Sequence, residues 1–144
     1  FRDKIDEIME QVKCPVAVFV NRQYREGTTV SFVLGGMIDL FLFSYLDKML
    51  QNGHSVRLFL FDTDDEEFRG RIDDLQVRYP EQTMIVWFAG VEDLVTEEKD
   101  GLLIMSHLSY TKLSEDEAVM RELSSLLVIR RNKNTGDKNE GLEN

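Results

Sequence analysis

The segment Lys13–Gly36, KCPVAVFVNRQYREGTTVSFVLGG, contains two apolar runs of the kind that forms β-strands. A polar link, NRQYREG, separates the two runs, and the second run ends in a pair of glycines. Two interpretations are open: the segment forms one hairpin, or it joins the last strand of one domain to the first strand of the next. We favour the domain junction, because the rest of the chain contains a complete α/β pattern of its own.

After this link, predicted strands alternate with predicted helices to residue 131, an order typical of a doubly wound α/β domain with a mostly parallel sheet. The predicted strands cover residues 28–34, 55–61, 83–89, 101–106 and 126–131. They are nearly continuous apolar runs, as expected of parallel strands that helices cover on both faces. Ser114 and Glu117 have the spacing of a capping box, which predicts the start of the last helix.

Residues 1–27 precede this domain and contain an amphipathic helix, the strand CPVAVFV and the link. Their helix and strand, residues 7–20, have a pattern similar to that of residues 118–131. The alignment matches Val16, Ala17 and Val18 with Leu127, Val128 and Ile129. Any two helix–strand units look partly alike, so a chance similarity stays open. We expect residues 1–27 to be the tail of a preceding similar domain with its linker, residues 28–131 to be one domain, and residues 132–144 to be disordered.

The chain is acidic, with a formal net charge of -10 at pH 7. Phosphate backbones repel such a chain, so we do not expect it to bind nucleic acid. A single cysteine, Cys14, excludes an internal disulfide and fits a reducing compartment; we expect it to be a small buried residue at the start of its strand. Since no apolar run approaches the ~20 residues that a membrane span needs, we expect a soluble piece of a longer protein.

Three short motifs, IMEQVKCPVAVFVNR, VSFVLGGMID and HSVRLFLF, resemble one protein family. They are similar to the C-terminal cytoplasmic region of monovalent cation/proton (Na+/H+ or K+/H+) antiporters, whose tails carry universal-stress-protein-like domains. Lys13-Cys14-Pro15 replaces the start of one family motif, and Asn21-Arg22 replaces its Asp-Arg. The two family glycines are present as Gly35 and Gly36, followed by Asp39 as one of the two family aspartates.

The resemblance implies a five-stranded, mostly parallel sheet in the order 3-2-1-4-5, with an extra N-terminal helix and strand. Terminal strands of neighbouring domains pair antiparallel in this family, which would place CPVAVFV beside LLVIRR. The candidate interface residues of this pairing are Val16, Val18, Leu127 and Ile129. The resemblance also implies a non-catalytic regulatory domain on the cytoplasmic side of the cell membrane, acting through domain–domain or dimer contacts. Its partners would be the membrane-embedded transport domain of the same polypeptide and a second similar domain, in a homodimer or pseudo-dimer.

A second class of function is a small-ligand or nucleotide sensor that binds at the carboxyl ends of the strands. The candidate ligand-binding residues are Gly35, Gly36, Asp62, Ser106 and His107. Nucleotide-binding universal stress proteins resemble one another in a glycine-rich phosphate loop after the fourth strand. This chain has SHLSYTKLSEDEAVMRELSS there, without glycine. We therefore expect no cofactor, although a nucleotide site of another design stays open.

Neither catalysis nor metal binding is expected from the sequence. No nucleophile–base pair is evident around either histidine. Asp62, Asp64 and Asp65 lack the glycine turn and the distal glutamate of a calcium loop, and their position before a predicted helix explains them better.

The apolar segment 37–52 is expected to form one helix that ends at Asn52-Gly53. Its predicted core face carries Ile38, Leu42, Tyr45, Leu46 and Met49, with Asp39 on the polar side. Apolar residues within the polar side are candidate interface residues: Met37, Leu40 and Phe43. The alternative is that these three are ordinary scattered surface hydrophobes.

Overall fold

The computed structural model describes residues 2–61, 63–95 and 101–131 of the chain. In chain order the elements are α1 (Arg2–Gln11), β1 (Val16–Val20), β2 (Val30–Leu34), a first 3₁₀ helix (Met37–Leu42), α2 (Phe43–Gln51), β3 (Val56–Phe61), α3 (Glu66–Arg78), β4 (Thr83–Phe88), a second 3₁₀ helix (Val91–Leu94), β5 (Leu102–Ser106), α4 (His107–Leu113), α5 (Glu117–Glu122) and β6 (Ser125–Arg130). The predicted disordered tail, 132–144, lies outside the described residues.

The described strands form one six-stranded sheet in the order β1-β6-β5-β2-β3-β4. Neighbouring strands are parallel except β1 and β6, which are antiparallel. The predicted class, α/β with a mostly parallel sheet, is confirmed, and CPVAVFV lies beside LLVIRR as expected. If the five parallel strands β2 to β6 are numbered 1 to 5 in chain order, their order across the sheet, starting from β4, is 3-2-1-4-5. The complete order differs from a five-stranded one because β1 adds a sixth strand at the β6 edge.

The link NRQYREG is not a hairpin turn, because β6 and β5 lie between β1 and β2 in the sheet. The hairpin interpretation is therefore wrong. Arg22 holds the link against the last helix and strand: its backbone N–H donates to Ser125 Oγ at 2.7 Å. Its guanidinium donates to the backbone carbonyls of Met120 and Leu123. Whether the link also joins two domains stays a prediction.

The two helix–strand units α1–β1 and α5–β6 lie side by side in the structure. Their strands are antiparallel neighbours, and α1 and α5 pack on the same face of the sheet. The residue alignment of the two units is wrong by one position, because Val16 packs on this face and its aligned counterpart, Leu127, packs on the opposite face. A slip of one residue exchanges the two faces of a strand, and uniformly apolar strands do not reveal the slip in the sequence.

Two apolar cores flank the sheet. The core on one face is formed with α1, α4, α5 and the second 3₁₀ helix, through side chains such as Met9, Tyr110 and Leu123. The core on the other face is formed with the first 3₁₀ helix, α2 and α3, around side chains such as Leu46 and Phe68. The sheet is therefore doubly wound, as the sequence predicts.

Residues 37–52 do not form one continuous α-helix, because a 3₁₀ helix with three residues per turn precedes α2. This tighter turn displaces the buried stripe, which consists of Leu42, Leu46 and Leu50. The prediction of Ile38 and Tyr45 as core residues is wrong, since they are 54% and 45% exposed. The predicted end of the helix is confirmed: α2 stops at Gln51, and Gly53 follows with a positive φ of 87°.

The segment after β5 contains two short helices where the sequence predicted one. α4 begins at His107, and α5 begins at Glu117. The Asp116 carboxylate caps α5 by accepting a hydrogen bond from the Val119 N–H at 3.1 Å. The predicted capping box at Ser114 is wrong, because Ser114 ends α4 and its hydroxyl donates to a backbone carbonyl of that helix.

The connection between α1 and β1 is held by Arg130 at the end of β6. Its guanidinium donates to the backbone carbonyl of Val12 and, at 3.0 Å, to that of Cys14. Cys14 itself is exposed. The prediction of a buried Cys14 is wrong, because β1 begins only at Val16 and Cys14 belongs to the connection.

Replacing Met9 with alanine tests how firmly α1 is packed on the sheet. Met9 is 1% exposed. We expect Met9→Ala to lower the free energy of unfolding by about 2–3 kcal/mol, the lower part of the usual cost of truncating a buried methionine. Urea unfolding followed by circular dichroism measures the change. Glu7→Ala, at an exposed position of α1, is the matched control and should stay within ~0.5 kcal/mol of the wild type. A Met9→Ala protein as stable as the wild type would show that α1 is not docked.

Candidate functional site

The carboxyl ends of β2 and β5 mark the point where the chain connections diverge. The connection after β2 packs on one face of the sheet, and α4, which follows β5, packs on the other. A cleft of about 420 Å³ opens at this point, between the first 3₁₀ helix, α4 and the end of β6. Open α/β sheets bind their ligands at such a divergence. This cleft is therefore the candidate functional site.

Asp39, in the first 3₁₀ helix, lines the cleft and is 1% exposed. Its Oδ2 atom accepts a hydrogen bond from the Gly35 N–H at 2.6 Å and another from the Ser109 hydroxyl at 3.2 Å. The carboxylate thus joins the loop after β2 to α4 across the divergence. The prediction of Asp39 on a polar helix face is wrong; the signal that could have identified it is its position in the GGMID motif.

The second oxygen of Asp39, Oδ1, is buried and has no hydrogen-bond partner among the described residues. An unpaired buried polar atom costs roughly 1–3 kcal/mol, and a charged one more. In the described part of the chain, Arg130 Nε is also buried without a partner, and Arg130 lines the same cleft. Among the described residues, the cleft therefore has one buried acceptor, Asp39 Oδ1, and one buried donor, Arg130 Nε, without hydrogen-bond partners.

Gly35 and Gly36 are required by two different constraints. A Cβ atom on Gly35 would lie 3.2 Å from Asp39 Oδ2, closer than ordinary van der Waals contact, so the missing side chain lets the carboxylate approach the backbone. Gly36 has φ 133° and ψ -161°. Residues other than glycine essentially do not adopt this conformation. The glycine pair thus shapes the loop that presents Asp39, and no phosphate needs to be invoked to explain it.

Ser106 and His107 both line the cleft, and contacts within the chain engage both. Ser106 Oγ accepts a hydrogen bond from the Ser109 N–H at 3.1 Å and so caps α4. His107 Nε2 lies 2.9 Å from Oδ1 of Asp6 on α1, and its ring stacks beside Tyr110. His107 therefore ties α1 to α4 at the rim of the cleft. Asp6 was missed because it lies 101 positions from its partner in the sequence.

Of the predicted ligand-binding residues, Ser106 and His107 line the cleft. Gly35 does not line it but donates its N–H to the cleft residue Asp39, and Gly36 follows Gly35 in the loop. Asp62 lies outside the described residues. Among the acids after β3, Asp65 caps α3 through its carboxylate, which accepts from the N–H groups of Glu67 and Phe68. The role predicted for an acid at this helix N-terminus is therefore confirmed for Asp65.

The predicted interface residues are largely engaged within the fold. Val16 and Val18 pack on the core around α1, and the residues that pack on the opposite core are Met37, Phe43, Leu127 and Ile129. Leu40 is half-buried. The four strand residues belong to β1 and β6, which pair within this chain. Their role in contacts with another copy stays a prediction.

A larger cleft, of about 930 Å³, lies at the opposite, amino ends of β2, β3 and β4. One of its polar side chains, Gln82, is already bound to the backbone carbonyls of Leu50 and His54. Parallel sheets place their ligand sites at the carboxyl ends. We therefore place the candidate site at the smaller cleft.

Two other kinds of feature are absent from the described residues. No cluster of three or more histidine, cysteine, aspartate or glutamate side chains suitable for a metal ion occurs in 2–61, 63–95 and 101–131. Within the same residues, no helix has both the length and the apolar character that a membrane crossing demands.

Comparison with known proteins identifies no relative: no family model, no curated protein sequence and no solved structure matches this chain.

The backbone of Gly36 provides a test of the loop that presents Asp39. We expect Gly36→Ala to lower the free energy of unfolding by about 1–3 kcal/mol, because the backbone conformation is strained for any side chain. No other atom lies within 4 Å of the added Cβ, so a steric clash does not contribute. Gly70→Ala also has open space around its Cβ and lies inside α3. It serves as the control and should be stabilising by up to about 1 kcal/mol. Equal effects of the two substitutions in chemical denaturation would refute the strained loop.

A double-mutant cycle tests the Asp6–His107 contact. Both side chains are partly exposed, 36% and 23%. We therefore expect a coupling energy of only about 0.5–1 kcal/mol between Asp6→Ala and His107→Ala in urea unfolding. A parallel cycle that pairs His107→Ala with Glu7→Ala, one residue along α1, should give no coupling. Strictly additive effects of Asp6→Ala and His107→Ala would mean that α1 does not contact α4 through this pair.

Proposed function

We propose that this chain is a non-catalytic, universal-stress-protein-like regulatory domain of a cation/proton antiporter, acting on the cytoplasmic side of the membrane. The three motifs that resemble antiporter tails support the assignment to this family. The α/β fold and the antiparallel strand at the edge of the sheet agree with what that resemblance implies. The transport chemistry would belong to a membrane-embedded part of the same polypeptide.

The observation that carries this proposal is the pairing of β1 with β6. It places the α1–β1 unit beside the α5–β6 unit, with antiparallel strands and with both helices on one face of the sheet, as the terminal units of two neighbouring domains would lie. In the proposed arrangement, β1 is contributed by the tail of a preceding similar domain. The link held by Arg22 then leads into the regulatory domain.

Regulation would act through the contacts that hold α1–β1 in place. Arg130 ties the end of β6 to the backbone before β1, and His107 ties α4 to α1. A signal that favours one arrangement of these contacts over another changes the position of the preceding domain, since a ligand shifts a conformational equilibrium only through its differential affinity for the two states. The preceding domain transmits the change toward the transport domain.

A second candidate function is the sensing of a small ligand at the carboxyl ends of the strands. The specific observation in its favour is the buried Asp39 carboxylate, whose Oδ1 atom has no partner among the described residues. This candidate is compatible with the first, because an antiporter tail can bind the signal to which it responds.

Transport by the parent polypeptide tests the regulatory proposal. We expect everted membrane vesicles containing the parent protein to exchange monovalent cations for protons. We expect Arg130→Ala to shift the cation concentration for half-maximal exchange by about fivefold, the lower end of ordinary coupling between sites. The exchange should persist, because Arg130 holds the docked unit and takes no part in transport.

Lys48→Ala, at an exposed position of α2 away from β1, is the control and should leave the exchange unchanged. The amount of each protein in the membrane is measured by immunoblotting. A parent sequence without membrane-spanning segments would refute the antiporter assignment. Exchange that is identical in Arg130→Ala and wild type would refute regulation through the α1–β1 contact.

A further inference from the structure

We propose that the cleft beside Asp39 binds a small zwitterion with an apolar side chain, of the size and chemistry of a free α-amino acid. Its ammonium group would bind Asp39, and its carboxylate would bind an arginine that lines the same cleft. This inference deepens the ligand-sensing candidate above. It does not rest on the transport proposal, because the binding site lies entirely within this chain.

The requirement for a cationic donor comes from Asp39. A carboxylate offers only acceptors, and Oδ2 already receives both the Gly35 N–H and the Ser109 hydroxyl. Oδ1 is left to accept a hydrogen bond from outside the described part of the chain. An ammonium group supplies the donor and the opposite charge together, and such charge-assisted bonds are about twice as strong as neutral ones. A buried water would supply the donor alone.

The lining of the cleft also carries positive charge. Arg130 and Arg131 line it, in a chain whose formal net charge is -10. The guanidinium of Arg130 binds the carbonyls before β1. We assign the carboxylate of the ligand to Arg131, which lines the cleft and whose guanidinium lies over the Phe41 ring at 5.1 Å. A guanidinium held against an aromatic ring presents its donors in a plane suited to a carboxylate.

Apolar side chains form part of the lining, beside the polar side chains of Ser106, His107 and Thr111. Ile38 and Leu108, 54% and 43% exposed, belong to the rim, and Phe41 and Ile129 also line the cleft. The volume of about 420 Å³ lies toward the small end of the ~300–1,000 Å³ range of small-molecule sites. Oδ1 is buried, so a ligand reaches it only when neighbouring side chains move, and exposed side chains such as Ile38 and Leu108 rotate readily. A small amphoteric ligand with an apolar body matches these features.

Isothermal titration calorimetry with the intact chain tests the proposal. The probes are L-leucine, L-methionine and L-phenylalanine, together with two analogues of leucine: 4-methylpentanoate, which lacks the ammonium, and isopentylamine, which lacks the carboxylate. We expect at least one of the three amino acids to bind with a micromolar to millimolar Kd. For leucine, each analogue should bind about tenfold or more weakly than the parent, since each loses one charge-assisted contact.

Two variants assign the contacts. Asp39→Asn keeps the acceptor for Gly35 and Ser109, and it should weaken binding of the amino acid about tenfold or more. Arg131→Gln should weaken binding of the amino acid but leave the weak binding of isopentylamine unchanged. Asp47→Asn, on α2 outside the cleft, is the matched control and should bind like the wild type. Circular dichroism confirms that each variant is folded.

The proposal fails if none of the three amino acids binds at millimolar concentration. It also fails if 4-methylpentanoate binds as tightly as leucine to the wild-type protein, a comparison that needs no folded variant. Unchanged binding by a folded Asp39→Asn protein would place the ligand elsewhere. None of these outcomes affects the exchange measurement on the parent protein, so failure of this inference and failure of the regulatory proposal are distinguishable.

Discussion

The hydrogen bonds that the Asp39 carboxylate accepts from Gly35 and Ser109 organise the carboxyl end of the sheet. In a doubly wound sheet the connections after β2 and β5 leave on opposite faces, which opens a crevice between them. Asp39 bridges that crevice through one oxygen, because Gly35 has no side chain to prevent the approach. Ser109 reaches the same oxygen because Ser106 caps the start of α4 and fixes its first turn. The shape of the candidate site follows from this one buried charge.

The edge of the sheet and the cleft are connected through the packing of α1–β1. Arg130 holds the backbone before β1 and also lines the cleft, and the His107 ring, another part of its wall, contacts Asp6 on α1. A displacement of α1–β1 would therefore move groups on two walls of the cleft. Coupling between two binding events is reciprocal, so a ligand that favours one cleft geometry would also favour one position of α1–β1. The two proposed functions therefore depend on the same set of contacts.

The fold class could be predicted from the sequence because apolar strands and intervening helices differ in length and periodicity. The antiparallel position of β1 came from the family resemblance. The strand register could not be predicted, because runs such as VAVFV are apolar on both faces and a shift of one residue leaves the pattern unchanged. The burial of Asp39 was missed because the first turn after Gly36 is a 3₁₀ helix, which displaces the stripe from an α-helical wheel. The Asp6–His107 contact joins segments that are distant in the sequence, and no local sequence pattern predicts such a contact.

Two of the residues that sequence reasoning misplaced, Ile38 and Asp39, line the cleft, and the case of Asp39 is informative. An apolar residue at position 39 would extend the buried stripe and would avoid the cost of burying a charge. It would, however, leave the Gly35 N–H without this acceptor. Asparagine could supply an acceptor to Gly35 and Ser109 without any charge. A purely architectural role therefore accounts for one oxygen of Asp39 and not for its charge. A cationic ligand would use both the second oxygen and the charge. A binding role for Asp39 therefore explains two features that a purely structural role leaves unexplained.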